Sequence, residues 1–228
     1  MTIPKCIHQI WIQGFENAPE KQKNFITNNQ NMGIDHVMWD EDKIKMELPN
    51  DLLKMYKRTK LYAQKADIAR YWILYNYGGL YVDADAEIKK LPTDIWNEDF
   101  VASKTFMIGA LLINNGIIAC KRKSKVMGKI LEFVKSNYKS CDNWLCVFKL
   151  GPYGFTKIIK DNLNSEKVKL LNHEVWEPCF VGKLCKNNQN VEIRHEHELS
   201  WIDRKTTVSI VVIIVVILLT RKIFYLKK

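Results

Sequence analysis

The sequence lacks several features that would place it in a simple class. It contains no internal repeat and no low-complexity stretch, which excludes solenoid, collagen-like and wholly disordered proteins. Its six cysteines form no C-x-x-C pair, so a zinc-finger type of site is not indicated. The first residues run into a strand-like segment without the pattern of a signal peptide, and we therefore expect a reducing compartment with free, mostly buried thiols.

Acidic residues are absent from the C-terminal end of the chain. The 228 residues carry a formal charge of +10. Six of the basic residues follow position 203: Arg204, Lys205, Arg221, Lys222, Lys227 and Lys228. Only +4 remains on the rest of the chain. A body so close to neutrality gives no electrostatic reason to expect nucleic acid as a partner.

An apolar run lies between these basic residues. Residues 208–219 contain one polar side chain, Ser209, and basic residues flank the run on both sides. This pattern is typical of a segment that enters a membrane, while a buried core strand or helix is the alternative. We expect residues 206–226 to form a single-pass C-terminal transmembrane helix. This helix would anchor a domain of residues 1–203 on the cytosolic side of the membrane.

Strand-like and helix-like patterns alternate along the body. The strongest helix is predicted over residues 63–77, and Gly78 and Gly79 end it before a short apolar strand. Further elements are predicted at residues 5–12 and 35–39 (strands) and at 19–29, 125–138 and 153–163 (helices). The alternation predicts an α/β fold with a mixed, mostly parallel sheet flanked by helices.

The segment KADIARYWILYNYGGLYVDADAEI, residues 65–88, contains the residues that indicate chemistry. Asp67 and Arg70 lie three apart on the predicted helix and share one face. Asp83 and Asp85 lie two apart at the end of the strand and are expected to point to one side, where open α/β sheets bind ligands. Neighbouring carboxylates repel each other unless a cation neutralises them, and Mg²⁺ or Mn²⁺ binds carboxylate together with phosphate oxygens. The pattern therefore predicts a divalent metal site that holds a diphosphate.

Three segments together resemble one known family. They are IPKCIHQIWIQG at residues 3–14, ADIARYWILYNYGGLYVDADAE at 66–87 and GPYGFT at 151–156. This combination resembles glycosyltransferase family 32, which has a D-x-D sugar-binding region and includes mannosyltransferases and capsular polysaccharide transferases. The resemblance implies a GT-A (Rossmann-related) fold, a UDP- or GDP-sugar donor and a Mn²⁺ or Mg²⁺ cofactor. It also implies transfer of a hexose to a glycan or glycolipid acceptor with retention of configuration.

The resemblance also implies roles for individual residues. Trp11 would stack on the nucleotide base, and Asp67 and Arg70 would hold the donor sugar. Asp83 and Asp85 would bind the metal and the diphosphate, with Asp85 as the direct ligand.

Two further regions match the family less specifically. Asn115 resembles an asparagine that bonds a sugar hydroxyl, although turn chemistry also explains the sequence Asn-Asn-Gly. The segment HEHELSW at 195–201 matches the H…SW ending that closes over the donor phosphates. It supplies two possible metal ligands, His195 and His197, together with Ser200 and Trp201.

Two other functions fit parts of the pattern. A phosphohydrolase would use Asp83 as nucleophile and Asp85 as acid, but such enzymes usually carry the D-x-D on their first strand. A non-catalytic membrane-surface module would bind lipid through its basic tail and would not need the carboxylates. Release of phosphate without a sugar donor would identify the first, and indifference to loss of both carboxylates would identify the second.

Overall fold

The computed structural model describes residues 2–107, 110–139, 143–176, 179–180, 184–185 and 190–196. Its strands are β1 (Cys6–Ile10), β2 (Asp35–Trp39), β3 (Gly79–Val82), β4 (Ala86–Ile88), β5 (Phe100–Met107), β6 (Ala110–Cys120), β7 (Val168–Leu171), β8 (Cys179–Phe180), β9 (Leu184–Cys185) and β10 (Ile193–His195). Its helices are α1 (Glu20–Gln30), α2 (Glu41–Glu47), α3 (Asn50–Arg58), α4 (Tyr62–Tyr77), α5 (Lys125–Asn137), α6 (Trp144–Phe148), α7 (Gly154–Asp161) and α8 (His173–Trp176). A short 3₁₀ turn (Phe15–Asn17) precedes α1, and a π-helical turn (Lys149–Tyr153) joins α6 to α7.

Six strands form the central sheet in the order β2-β1-β3-β6-β5-β7. β1 is parallel to β2 and β3, β7 is parallel to β5, and β6 is antiparallel to both β3 and β5. Three of these five pairings are parallel, which confirms the predicted mixed, mostly parallel sheet. A separate antiparallel pair joins β4 to β10 and sets His195 opposite Ala86.

Helices cover both faces of the sheet, and β3 shows how its residues divide between them. Tyr81 belongs to a large buried cluster that also contains residues of α2 to α5 and of α7. Leu80 and Val82 belong to a second cluster, together with Trp176 of α8. Successive side chains of a strand point to opposite faces, so β3 contributes to both cores at once.

The connection between α4 and β3 is tight because two glycines form it. Gly78 and Gly79 have positive φ angles of 67° and 96°, a region that glycine adopts without strain. A Cβ atom on Gly78 would lie 2.7 Å from the Arg122 nitrogen, and one on Gly79 would lie 2.6 Å from the Cys6 oxygen. No larger residue fits there, so the two glycines allow a tight connection between the end of α4 and the start of β3.

The expectation that Asp83 and Asp85 share one side of a strand is wrong. β3 ends at Val82, and Ala84 and Asp85 form a turn that leads into β4. A hydrogen bond from the Ala86 nitrogen to the Asp83 oxygen, 3.0 Å long, closes this turn. The turn, and not the pleat of a strand, therefore determines where the two carboxylates lie.

Two further expectations concern the cysteines and the anchor. Cys6 and Cys120 are free, whereas Cys146 is disulfide-bonded, so the expectation of free thiols is wrong for Cys146. None of the helices in the described ranges is long and apolar enough to cross a bilayer. The predicted anchor at residues 206–226 lies outside the described residues.

Candidate active site

A cleft of about 590 Å³ opens where the carboxyl ends of β1 and β3 meet α4. The predicted site residues that line this cleft are Trp11, Asp67, Arg70, Asp83, Asp85, Asn115 and His195. They come from five separate parts of the chain, which the parallel pairing of β1 with β3 and the packing of α4 bring together. This position agrees with the rule that open α/β sheets bind ligands beyond the carboxyl ends of their strands.

Asp83, Asp85 and His195 form a cluster at one side of the cleft. One potential ligand atom from each of the three lies within 4.8 Å of the other two. The His195 Nε2 atom is 3.1 Å from Asp85 Oδ1 and 3.8 Å from Asp83 Oδ2. The side chains of Asp83 and Asp85 are 23% and 17% exposed, so an ion in the cleft can reach both carboxylates.

Two residues that the sequence analysis did not single out hold this cluster in place. Asn114 accepts a hydrogen bond from the Gly116 nitrogen at 2.7 Å, so its amide group is directed at His195 Nδ1, 3.2 Å away. In this arrangement the His195 Nε2 atom carries the proton and donates to Asp85. A Cβ atom at Gly116 would lie 2.5 Å from Asp83 Oδ2, which means that only glycine leaves room for this carboxylate.

Arg70 lies at the centre of a second, more deeply buried group. Its guanidinium is 3.4 Å from Asp67 Oδ1 and 3.3 Å from Asp83 Oδ1, and it donates to the Asn115 carbonyl at 2.6 Å. The Arg70 guanidinium also stacks on the ring of Tyr81, at 4.7 Å from its centroid. The Tyr81 hydroxyl donates to Asp83 at 2.7 Å. Arg70 therefore connects the carboxylate on α4 with the metal-binding cluster.

Asp67 has one oxygen engaged and one without a partner. Oδ1 accepts a hydrogen bond from the Asn115 amide at 2.8 Å, and the same amide donates to the Tyr71 hydroxyl at 2.9 Å. Oδ2 has no hydrogen-bond partner among the described residues, although it is buried. Gly151 packs against this oxygen, because a Cβ atom at position 151 would lie 3.0 Å from it. A buried acceptor without a partner is costly, and Asp67 is one of the residues that line the cleft.

The electrostatic environment follows from burial and from the crowding of charges. Burial raises the pKa of Asp67 to about 7, in spite of the opposing effect of Arg70. Burial also raises the pKa of Asp83, and the neighbouring Asp85 carboxylate raises it further. Burial alone would lower the pKa of Arg70, but Asp83 and Asp67 outweigh it and raise the pKa, so the guanidinium stays charged. The cleft therefore holds more negative charge than Arg70 alone neutralises, which favours a bound cation.

Trp11 directly follows β1 and lies in the same cleft as the carboxylates. Its backbone nitrogen donates to the Trp39 carbonyl at 2.9 Å, which fixes the start of the loop after β1. Its indole nitrogen is buried and has no hydrogen-bond partner among the described residues. His8, by contrast, is buried in the core, bonded to the Gly78 carbonyl at 3.0 Å and to the Trp39 indole at 3.2 Å. Trp11 thus belongs to the cleft, and His8 belongs to the core.

Three of the predicted site residues cannot be placed. His197, Ser200 and Trp201 lie outside the described residues. Of the two candidate histidines, His195 is the one that the structure places next to the D-x-D carboxylates. The sequence contained a signal for Asn114 and Gly116 in the apolar run GALLINNG, but this run does not reveal which of its polar residues turns toward the cleft.

A divalent cation suits this donor set. Two carboxylates and an imidazole are common ligands of Mn²⁺, and carboxylates with phosphate oxygens are ligands that Mg²⁺ accepts. Coordination by His195 Nε2 would require the proton on Nδ1 and the Asn114 side chain turned to accept it. The two carboxylates need no such change.

Comparison with known proteins gives an independent view of the same region. Residues 11–102 match the family described as "Glycosyltransferase sugar-binding region containing DXD motif". An uncharacterized glycosyltransferase of Acanthamoeba polyphaga mimivirus is 31% identical over 212 residues, which cover 87% of this chain and 84% of the relative. Inositol phosphoceramide mannosyltransferase 1 of Schizosaccharomyces pombe is 34% identical over 173 residues, covering 69% of this chain and 52% of the relative.

Solved structures share the fold at low sequence identity. PaToxG glycosyltransferase superposes with a TM-score of 0.57 at 21% identity, covering 72% of each chain. The glycosyltransferase domain of the YGT toxin superposes with a TM-score of 0.54 at 10% identity, covering 74% of this chain and 80% of the other. These similarities support the GT-A-like arrangement of a mixed sheet flanked by helices.

Proposed function

The chain belongs to the glycosyltransferases that contain a DXD sugar-binding region, and we propose that it transfers a hexose from a nucleoside-diphosphate sugar in a reaction that depends on a divalent metal. The observation that carries this proposal is the convergence of Asp83, Asp85 and His195 within 4.8 Å in one cleft. The same cleft contains Trp11 and the Asp67–Arg70 pair, so the metal, the nucleotide base and the donor sugar could all bind there.

Asp83 and Asp85 would hold the metal, and His195 would either orient Asp85 through its hydrogen bond or complete the ligand set. Bound there, Mn²⁺ or Mg²⁺ would neutralise the diphosphate and favour its departure as a leaving group. Arg70 remains charged beside Asp83 and adds a fixed positive group close to the phosphates. Trp11 would stack on the nucleotide base, and Ser200 and Trp201 would close over the phosphates.

Asp67 is suited to holding the donor sugar. Its Oδ2 atom has no partner among the described residues and Asp67 lines the cleft, so a sugar hydroxyl bound there would supply the hydrogen bond that this oxygen lacks. Asn115 fixes the other oxygen of Asp67 and thereby fixes the orientation of the carboxylate.

Retention of configuration is part of the proposal. Among the described residues that line the cleft, the only carboxylates are Asp67, Asp83 and Asp85. Each of them already has a role in binding the metal or the donor sugar. With none left to act as a covalent nucleophile, we favour attack of the acceptor hydroxyl on the face from which the nucleotide departs.

The relatives supply the first donor and acceptor to test. The Schizosaccharomyces pombe relative is an inositol phosphoceramide mannosyltransferase, and this chain spans about half of its length. We therefore propose a hexose such as mannose as the transferred sugar and a glycan or glycolipid as the acceptor. Residues 1–203 would form the catalytic domain, and residues 206–226 would anchor it at the cytosolic face of a membrane.

The test is hydrolysis and transfer of a panel of UDP- and GDP-sugars by the full chain. We expect turnover with Mn²⁺ or Mg²⁺, no turnover with a chelator, and a large loss in Asp85→Asn. Unchanged turnover in Asp85→Asn would contradict the assignment of the site. Release of phosphate from phosphomonoesters without any sugar donor would instead favour the phosphohydrolase, which no observation supports at present.

A further inference from the structure

Apolar side chains that none of the roles above uses lie beside the cleft. Leu145 of α6 and Tyr153 at the end of the π-helical turn are exposed, and Trp144 and Phe148 of α6 are half-buried; we call these four residues the aromatic rim. The rings of Trp144 and Phe148 lie 6.3 Å apart and those of Phe148 and Tyr153 lie 6.0 Å apart, so the three rings form a continuous row.

The aromatic rim borders the mouth of the cleft. Val147 and Pro152, the chain neighbours of Phe148 and Tyr153, line the cleft itself. Leu145 is 53% exposed and Tyr153 is 50% exposed, although both are large hydrophobic residues. Tyr62, which also lines the cleft, is exposed to a similar degree. Single exposed apolar residues need no explanation, but a contiguous row beside a binding site indicates an interaction surface.

Basic residues predominate in this region. Residues 143–160 contain three lysines and no acidic residue, and Asp142 and Asp161 directly flank this range. Lys149 is exposed and lies between Phe148 and Tyr153 in the chain. Lys157 and Lys160 are exposed and follow Tyr153 by four and seven residues, which sets all three on one face of α7. The rim therefore combines Trp and Tyr with lysines, which is the composition of surfaces that lie at the boundary of an anionic bilayer.

We propose that the aromatic rim docks on the surface of an anionic lipid membrane, so that the cleft opens toward a lipid-borne acceptor. This inference rests on the proposed function, because it specifies the acceptor of that same site as a membrane lipid. A soluble glycan is the less suitable occupant. A free sugar needs several convergent hydrogen-bonding groups, and the four side chains of the aromatic rim supply only two, the Trp144 indole and the Tyr153 hydroxyl.

The experiment is hydroxyl-radical footprinting of the full chain with and without lipid vesicles. Vesicles of phosphatidylcholine with phosphatidylinositol should reduce the modification of Leu145 and Tyr153 about fivefold, because these side chains would leave water. Met46 and Leu163, which are also exposed but lie on α2 and after α7, serve as controls and should not change. Vesicles of phosphatidylcholine alone should protect the rim less. The readout is local, so membrane binding by the C-terminal segment does not mask it.

Charge-reversal variants test whether the lysines contribute to membrane binding. The double variant Lys149→Glu with Lys157→Glu should lose most of the protection, whereas Lys54→Glu on α3 should retain it. Unchanged reactivity of Leu145 and Tyr153 on anionic vesicles would overturn the proposal, as would equal protection by a soluble oligosaccharide without vesicles. Hydrolysis of the donor by the unmodified chain is measured separately. A chain that hydrolyses donor without rim protection refutes only the docking surface, and a protected chain that hydrolyses no donor refutes only the proposed function.

Discussion

Two buried carboxylates in this molecule have opposite environments. Glu166, whose side chain is 2% exposed, lies at the start of α5 with both oxygens engaged. Oε1 accepts from the Ser124 hydroxyl and from the Val126 nitrogen at 2.9 Å. Oε2 accepts from the Lys125 nitrogen at 3.0 Å and lies 3.5 Å from the Lys121 ammonium. This carboxylate completes the helix start, where negative charge is stabilising.

Asp67, 5% exposed, differs because its Oδ2 atom has no partner among the described residues and because the residue lines a cleft. A buried polar group whose hydrogen bonds are all made within the protein stabilises the fold. A buried polar group without a hydrogen-bond partner lowers the free energy of unfolding. The difference indicates that Glu166 stabilises the fold and that Asp67 binds a ligand. Four measurements test the roles assigned to these and other residues.

The largest effect is expected at the metal-binding cluster. Asp85→Asn removes one negative charge from the proposed metal site, and we expect kcat for donor turnover to fall by about 1000-fold, since such electrostatic groups act mainly in the transition state. Asp42→Asn, an exposed aspartate on α2, is the control and should retain full turnover. A loss of less than tenfold in Asp85→Asn would place the metal elsewhere.

A smaller loss of activity is expected at Asp67. Asp67→Asn keeps the shape of the side chain but weakens the acceptor that faces the sugar, so we expect kcat/KM to fall by about 100-fold. The free energy of unfolding should not fall at neutral pH, because burial already raises the pKa of this carboxyl to about 7 and a neutral amide relieves that cost. Thermal and urea unfolding measure the second quantity. A clear loss of stability would make Asp67 a structural residue like Glu166.

The reverse pattern is expected at Glu166. Glu166→Gln loses the charge that several donors share and should lower the free energy of unfolding by about 2 kcal/mol, with donor KM unchanged below the melting temperature. Glu132→Gln, at an exposed residue of α5, should change stability by less than about 0.5 kcal/mol. If Glu166→Gln altered donor KM while the protein stayed folded, the contrast with Asp67 would fail.

A pH-dependent effect on stability is expected at the histidines near β1. His8 is bonded on both ring nitrogens in its neutral form, and burial lowers its pKa from 6.5 to about 4. Burial also lowers the pKa of His36 to about 4. Between pH 6.5 and about 4 the unfolded chain binds more protons at His8 than the folded one does. The free energy of unfolding should therefore be highest above pH 6.5 and should fall as the pH falls toward 4.

We expect the His8 contribution to be roughly 1 kcal/mol per pH unit in this range. Urea unfolding across the range measures it, and His8→Gln should flatten the dependence, leaving the part that His36 contributes. A dependence that is identical in His8→Gln would show that His8 is not protonated on unfolding.

Much of the fold could be predicted because the responsible signals are local. The periodic helix at residues 63–77 and its two terminal glycines predict α4 to within one residue at its start, and β2 matches its predicted bounds. Asp40 precedes α2, and its side chain accepts from the Lys43 nitrogen at 2.9 Å, a contact typical of a helix N-terminus. The π-helical turn before α7 was not predicted, although Gly151 leaves helical geometry directly before Pro152, where the proline disfavours a helical conformation of the preceding residue.

The sequence predicts several of the residues that line the cleft, but not the contacts between them. The D-x-D and D-x-x-R spacings name Asp83, Asp85, Asp67 and Arg70, all of which line the cleft. The bond from Arg70 to the Asn115 carbonyl and the amide of Asn114 beside His195 join segments far apart in the chain. Such contacts depend on sheet order and register, which no local pattern contains.

Direct titration of Mn²⁺ into the full chain, in the presence of the preferred nucleoside diphosphate, tests the central claim most directly. The account predicts one ion bound per chain, with affinity reduced about 100-fold or more in Asp83→Asn and in Asp85→Asn and unaffected in Asp42→Asn. Equal affinity for Mn²⁺ in all four proteins would contradict the assignment of the metal to these carboxylates.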